Sequence, residues 1–262
     1  MKNRLFALAC HFGISAAVVS IVIGTIIWIW YPPPFFYTQG LFKILIVLVS
    51  VDLVLGPLLT FIVFKPGKKG LKFDFVVIAL IQFSALFYGI YQTYTSRPVY
   101  VVYVKDRFEV VSQNEYIETY LKKAPPNSHY LNFSLTGPRW VGALLPKSTD
   151  RYEKEEIEFS ETFGAGLRIM PKYYVEFEVV KSDALQSGIP ADEINYEKIG
   201  VITGPSSEDS KKVKDWISKL SLSPKKIALI PMNGYAKSGI VAMNKDTGLV
   251  IGTLSVKPWW LN

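Results

Sequence analysis

Residues that could carry acid–base or nucleophilic chemistry are few in this chain and lie far apart. Its 262 residues include two histidines, His11 and His129, and one cysteine, Cys10. A Ser-His-Asp arrangement outside the apolar segments would have to use His129 as its base. That histidine follows residues 125–128, a polar, proline-rich stretch in which a solvated imidazole is the ordinary case. We therefore predict that His129 is not catalytic.

Acidic and glycine-rich stretches offer the other candidates for chemistry. A carboxylate pair could lie among Glu153, Glu155, Glu156, Glu158 and Glu161, but the neighbouring lysines favour a solvated surface. The glycines of 164–166 do not have the strand–turn–helix context of a dinucleotide fingerprint. The chain has no CxxC, HExxH or calcium-loop motif. We predict no enzyme, no cofactor and no metal.

Three apolar segments fill the first third of the chain. They span residues 9–30, 41–64 and 75–94, each close to the ~20 residues needed to cross a bilayer core. We predict a three-helix transmembrane domain over residues 1–96, with a soluble domain over 97–262. Signal-peptide cleavage after the first segment is the alternative, but bulky Trp28–Tyr31 stand where a peptidase needs small residues.

The charges of the connecting segments predict the orientation. Lys2 and Arg4 precede the first segment, the first connection has no charge, and residues 65–72 carry four lysines. The positive-inside rule then predicts a cytoplasmic N-terminus and a soluble domain on the far side. Residues 1–97 hold eight of the 29 basic and two of the 22 acidic residues, a net charge of +6 out of +7. The basic excess therefore reflects topology, and we predict no nucleic-acid binding.

A polar site is predicted inside the second apolar segment. Asp52 lies in its middle third, where a carboxylate costs at least about 2.5–3.5 kcal/mol unless it is paired or protonated. Gly56-Pro57 follows one turn later and predicts a kink. The site could hold a partner, or it could fix helix packing through a hydrogen bond from Asp52 to Gln82, Ser84 or His11. Asp74 is interpreted as a helix-start residue.

The soluble part is predicted to be an α+β domain with a largely antiparallel sheet. Its opening hairpin covers residues 99–104 and 107–112, followed by a short helix at 115–123 and a strand at 140–145. Residues 151–163 have no assignment, and 173–180 fit strand or helix. A helix begins at 206–209 and has Val213, Trp216, Ile217 and Leu220 on one face. Strands at 226–231, 239–244 and 249–256 follow, the last two joined by a turn at 244–248.

Several stretches, taken in order, resemble the type IV pilin accessory proteins of the TfpX/TfpZ family, some of which are labelled fimbrial assembly proteins. The first 110 residues carry nearly all of the resemblance. The stretches are Trp30-Tyr31-Pro32, Asp52 with Gly56-Pro57-Leu58-Leu59-Thr60, Lys65-Pro66-Gly67-Lys68-Lys69, Leu71-Lys72-Phe73-Asp74, Tyr88-Gly89-Ile90-Tyr91, Arg97-Pro98-Val99, Asp106-Arg107-Phe108 and Lys257-Pro258-Trp259-Trp260.

The resemblance implies a multi-pass protein of the bacterial inner membrane, with a periplasmic C-terminal domain, that stabilises or presents the cognate major type IV pilin. On this hypothesis the three-helix unit holds the pilin helix, with Asp52 as a polar contact, while residues 98–262 recognise the pilin head. Arg97, Asp106 and Arg107 could fix the relative pose of the two domains. The alternative for Arg97 is an interfacial anchor, and for Asp106-Arg107 a hairpin turn.

Three other functions compete with this hypothesis. The main alternative is a membrane-anchored periplasmic ligand-binding or sensor protein, for which the cytoplasmic segments are too short to form an output module. A membrane enzyme is disfavoured because the first external loop has no acidic residue. A transporter is disfavoured because three segments lack the paired halves of common transporter folds.

Overall fold

The chain forms two compact units. A computed structural model describes residues 1–146, 151–162, 164–194 and 207–256, with the side chains of 207 and 208 left out. The first unit joins Met1–Trp30 to Gly40–Ser96, and the second joins Tyr31–Gln39 to Arg97–Asn262. Residues 31–39, which the sequence analysis assigned to the transmembrane domain, thus belong to the second unit. The resembling stretch at 257–260 lies outside the described residues.

The first unit contains three helices long and apolar enough to cross a membrane, as predicted. Two of them begin ahead of the predicted apolar segments, because polar residues continue the helix at those ends. The first helix, Lys2–Trp30, consists of α1 (Lys2–Thr25) and a π-helical end (Ile26–Trp30). The second helix, Leu41–Val63, consists of α3 (Leu41–Ser50), a π-helical turn (Val51–Leu55) and α4 (Gly56–Val63). The third helix is α5 (Leu71–Thr95).

The predicted kink at Gly56-Pro57 takes the form of a π-helical turn. Pro57 has no N–H to donate, and its ring would collide with a carbonyl one turn earlier in a regular α-helix. The structure widens the helix over Val51–Leu55, directly before the proline, and the helix then continues to Val63. Single π-turns are frequent at functional sites. Asp52 lies within this one.

The second unit is built on an eight-stranded mixed sheet in the order β4-β3-β1-β2-β6-β7-β8, with β5 paired to β6. The β1–β3 and β2–β6 pairings are parallel and the others antiparallel, which confirms the predicted fold class. The strands are β1 (Pro98–Val104), β2 (Arg107–Ser112), β3 (Arg139–Ala143), β4 (Tyr174–Glu176), β5 (Ile189–Pro190), β6 (Ile227–Asn233), β7 (Gly239–Asn244) and β8 (Val250–Ser255).

Helices cover both faces of the sheet, so β1 is buried on both sides. Its alternate residues enter two different clusters: Val101 and Tyr103 pack with α8 (Phe177–Ser187), whereas Tyr100 and Val102 pack with α7 (Arg151–Thr162). A third cluster joins α9 to β6 and β7, and its members Val213, Trp216, Ile217 and Leu220 occupy the predicted face. The helices are α6 (Glu118–Lys123), α7 (Arg151–Thr162), α8 (Phe177–Ser187) and α9 (Ser207–Lys219).

One local prediction needs correction, and the structure assigns two stretches that the sequence left open. The helix expected at 115–123 is split, with a 3₁₀ turn at Gln113–Glu115 preceding α6. Residues 173–180 are both strand and helix, because β4 ends at Glu176 and α8 begins at the next residue. The unassigned stretch from 151 forms α7, which turns Ile157 and Ser160 inward.

The segment between the first two apolar helices folds into the second unit. It forms the short helix α2 (Phe35–Thr38), and Phe35 joins the cluster of β1 and α8. The Thr38 carbonyl accepts hydrogen bonds from the backbone N–H groups of Ala236 and Lys237, at 2.8 and 3.2 Å. A Cβ added to Gly234 would lie 2.6 Å from that same carbonyl oxygen. This close approach requires glycine at position 234.

Candidate functional site

A cluster of polar side chains connects all three apolar helices. His11, from the first, lies 2.6 Å from the Thr60 hydroxyl (Nδ1 to Oγ1) and 2.8 Å from the Gln82 carboxamide (Nε2 to Oε1). The Gln82 oxygen can only accept, so Nε2 of His11 donates to it. This chain of hydrogen bonds ties the three helices together.

Gly56 makes room for Gln82. A Cβ at position 56 would lie 2.1 Å from Nε2 of Gln82 and 2.6 Å from its Cδ. With glycine there, Nε2 approaches the Asp52 main-chain carbonyl to 3.4 Å. The structure thus brings the predicted residues Asp52, Gly56, Pro57 and Gln82 together. Gln82 donates to the Asp52 main-chain carbonyl, and its side chain also interacts with the Asp52 carboxyl group, as the packing alternative predicts.

One oxygen of the Asp52 carboxyl group lacks a hydrogen-bond donor in the described part of the chain. Asp52 is only 5% exposed. Within the part of the chain that the structure describes, its Oδ2 has no hydrogen-bond partner. Leaving a buried acceptor unsatisfied costs about 1–3 kcal/mol, and more when the group is charged. The contacts within the first unit thus leave one oxygen of the Asp52 carboxyl group, Oδ2, without a donor in the described part of the chain.

A groove of about 440 Å³ opens beside the cluster. The first and third helices supply most of its lining, and Asp52 and Thr60 of the second helix complete it. The lining is otherwise apolar apart from Ser15, His11 and Gln82. It consists of Ala7, Cys10, His11, Ile14, Ser15, Val18, Val19, Asp52, Thr60, Phe75, Ala79, Gln82, Phe83 and Leu86.

The three junction residues have contacts inside the second unit. Arg97 is 2% exposed; its Nε donates to the Ser134 carbonyl at 3.1 Å, and its guanidinium also donates to Gln113. A buried guanidinium does not fit the interfacial-anchor interpretation. Asp106 and Arg107 pair with each other at 2.9 Å beside the β1–β2 turn, which the hairpin interpretation predicted. Their role in fixing the pose of the domains stays a prediction.

Most of the remaining candidate residues from the sequence pair with a neighbouring side chain. His129 is exposed and lies 2.9 Å from the Glu176 carboxylate. Four of the five α7 glutamates form ion pairs: Glu153 with Lys172, Glu155 with Arg151, Glu156 with Lys123 and Glu161 with Lys105. Asp74 lies in the first turn of α5 and pairs with Lys68 at 2.5 Å. Among the described residues, no three His, Cys, Asp or Glu side chains come together as metal ligands would.

Burial raises the pKa of several titratable groups in the second unit. Burial raises the pKa of Glu109, and the Asn233 amide, which donates to its Oε1 at 3.0 Å, opposes that rise. Burial also raises the pKa of Tyr130 to about 12, helped by its hydrogen bond to Glu176. Both shifts follow from burial and from hydrogen bonds within the described part of the second unit.

Sequence reasoning gave two members of the polar cluster too small a part. The sequence offered His11 only as one hydrogen-bond partner for Asp52, and Thr60 only as part of the resembling stretch. The structure joins the two side chains to each other. Spacing provides the missed signal, because Asp52, Gly56 and Thr60 recur every four residues and therefore share one helix face.

Comparison with known proteins finds relatives among the fimbrial assembly proteins. The family model of fimbrial assembly protein FimB matches residues 1–40. The fimbrial assembly protein of serogroups C1 and C2 of Dichelobacter nodosus is 38% identical over 116 residues, which are 44% of this chain and 88% of that protein. Its serogroup I counterpart is 40% identical over 118 residues, 44% of this chain and 46% of the relative. The match thus spans about half the length of the serogroup I protein. No solved structure matches the chain.

Fold and site together define a protein with three helices able to span a membrane, a polar cluster among them, and an α+β domain. The chain belongs to the family of fimbrial assembly proteins, since its match covers most of the serogroup C1 and C2 relative.

Proposed function

We propose that this protein acts in pilus assembly as an accessory protein of the TfpX/TfpZ kind, binding the cognate major type IV pilin and stabilising or presenting it before polymerisation. Membership of the fimbrial assembly family carries this proposal. The role is chaperone-like and non-catalytic. The partner offers two surfaces, a transmembrane helix and a globular head, and this chain has a unit suited to each.

The proposed topology places the N-terminus in the cytoplasm and the second unit in the periplasm, across the inner membrane. Lys65, Lys68, Lys69 and Lys72 on the second connection support it through the positive-inside rule. The first connection adds independent support, because residues 31–39 fold with Arg97 and the residues after it. Both must then lie on one side, as expected if the second and third helices cross as a hairpin.

In the proposed mechanism the groove of the first unit receives the pilin helix. Small side chains along it, including Ala7, Cys10, Ser15 and Ala79, allow close approach of another backbone. Residues 98–262 recognise the periplasmic head. Holding both parts would keep the apolar pilin helix from aggregating with other helices until assembly.

Site-specific photo-crosslinking in membranes that contain the cognate pilin tests the proposal. Phe83 lines the groove and is 55% exposed, whereas Phe42, 60% exposed, lies outside the groove lining. We expect a photoreactive phenylalanine at position 83 to form a pilin adduct and the same residue at position 42 to form none. Equal adducts at both positions would indicate non-specific contact.

The sensor alternative predicts a different outcome. If the protein served only to bind a small ligand, no pilin adduct would form at position 83, and deletion of the gene would leave membrane pilin and surface pili at their normal levels. The accessory role predicts fewer pili after deletion, restored by the intact chain.

A further inference from the structure

The buried carboxylate of Asp52 faces a groove made for an elongated apolar occupant. Lining residues on the first helix run from Ala7 to Val19 with helical spacing, about 18 Å at 1.5 Å per residue. On the third helix they run from Phe75 to Leu86, about 16 Å. A trough of that length between two helices matches one face of a third helix.

The polar centre of the groove is short of a donor. His11, Thr60 and Gln82 satisfy one another, whereas Oδ2 of Asp52 has no hydrogen-bond partner in the described part of the chain. Acyl chains in the groove would leave Oδ2 of Asp52 unpaired, which is costly at membrane depth. Charge complementarity therefore favours an occupant that brings a donor to Asp52.

We propose that the groove binds a partner transmembrane helix that carries a hydrogen-bond donor at its centre, and that Asp52 accepts from that donor. The inference deepens the membrane half of the proposed function and rests on it. The cluster of His11, Thr60 and Gln82 positions the second helix so that Asp52 faces the groove. Partner helices without a donor would bind less tightly, so Asp52 acts as a selectivity residue.

Two synthetic helices test the proposal without using pilin. One is a 20-residue leucine-rich peptide with a single central lysine, which can only donate, and its control has leucine there. Binding to the full-length protein is measured by energy transfer in phosphatidylcholine bilayers. We expect the lysine peptide to bind wild type about ten-fold or more tightly than the control, as for one charge-assisted hydrogen bond.

Substitution of Asp52 provides the second arm. Asp52→Leu should abolish the preference for the lysine peptide, and Asp52→Asn should keep part of it, because its amide oxygen still accepts. Equal binding of both peptides by wild type, or a preference that survives Asp52→Leu, would overturn the inference. The melting temperature of Asp52→Leu should not fall by much, since the substitution removes a buried oxygen, Oδ2, that has no donor in the described part of the chain. A marked fall would assign Asp52 to helix packing and likewise overturn the inference.

The pilin experiment separates the two proposals. If pilin is crosslinked at position 83 equally in wild type and Asp52→Leu, the accessory role stands and the assignment of Asp52 fails. If the peptides discriminate as expected but pilin is never crosslinked, the donor-selective groove stands and its partner is another helix.

Discussion

Two buried charges, one in each unit, differ in how completely they are paired. Arg97 in the α+β domain is 2% exposed, and Gln113 and Ser134 accept its hydrogen bonds. Asp52 among the apolar helices is 5% exposed and keeps an unpaired carboxylate oxygen. A paired buried charge is explained by the fold that surrounds it. An unpaired buried oxygen instead raises the free energy of the folded state. That difference favours the first unit as the place where a partner binds.

The largest expected effect tests the structural half of this comparison. Arg97→Met leaves the acceptors on Gln113 and Ser134 without their donor, so we expect a loss of about 3–5 kcal/mol in the free energy of unfolding. Arg107→Met is the matched control, because Arg107 lies exposed beside a turn and should matter by about 0.5 kcal/mol or less. Denaturant unfolding of the full chain in detergent, followed by tryptophan fluorescence, measures both. Equal midpoints would show that Arg97 is dispensable.

The second prediction, of intermediate size, concerns the contact between Gly56 and Gln82 in the first unit. Gly56→Ala drives a Cβ into the Gln82 carboxamide and should cost about 1–3 kcal/mol. Gln82→Ala removes the obstacle, so the double variant should be more stable than the sum of the single effects by about 1 kcal/mol. The control is Gly24→Ala, since a Cβ there meets nothing within 4 Å. Thermal unfolding in detergent measures the series, and strictly additive effects would refute the close approach of Gly56 and Gln82.

The smallest expected effect concerns a partly compensated acid in the domain. Burial raises the pKa of Glu109 above its ordinary 4.5, so the folded state binds this proton more tightly than the unfolded state does. Stability should therefore fall as the pH rises from 4.5 to the raised pKa, and stay level above it. Glu109→Gln keeps an acceptor for Asn233 and should remove this decline. Unfolding of both proteins from pH 4 to 8 measures the difference; a difference that does not change with pH would contradict the shift.

Sequence periodicity was sufficient wherever structure is local. The strands at 107–112 and 239–244 were predicted with their observed bounds, because β-branched residues and turn residues mark both. The apolar face of α9 was likewise readable from Val213 and Ile217. The parallel pairings β1–β3 and β2–β6 were not predicted, since they join segments far apart in the chain and have no local signature.

The sequence predicted which residues form the candidate site but not which of their atoms form hydrogen bonds. An aspartate, a Gly-Pro pair and a glutamine within apolar segments are conspicuous by type alone. Which atoms they share depends on helix rotation, which hydrophobic patterns barely constrain when every face is apolar. The same limit hid the docking of residues 31–39, because Phe35 fits an interfacial aromatic belt and a domain core equally well.

The insertion of Phe35 among β1 and α8 has a consequence for biogenesis. During synthesis residues 31–39 leave the ribosome before any strand of the sheet has been made. Their aromatic side chains therefore have no core to pack against at that stage. The sheet can close around Phe35 only after the second and third apolar helices have been synthesised. A polypeptide that starts at Arg97 would lack that ring and the Thr38 carbonyl that Ala236 and Lys237 use. A finished α+β domain thus needs the segment ahead of the second apolar helix as well as the residues that follow the third.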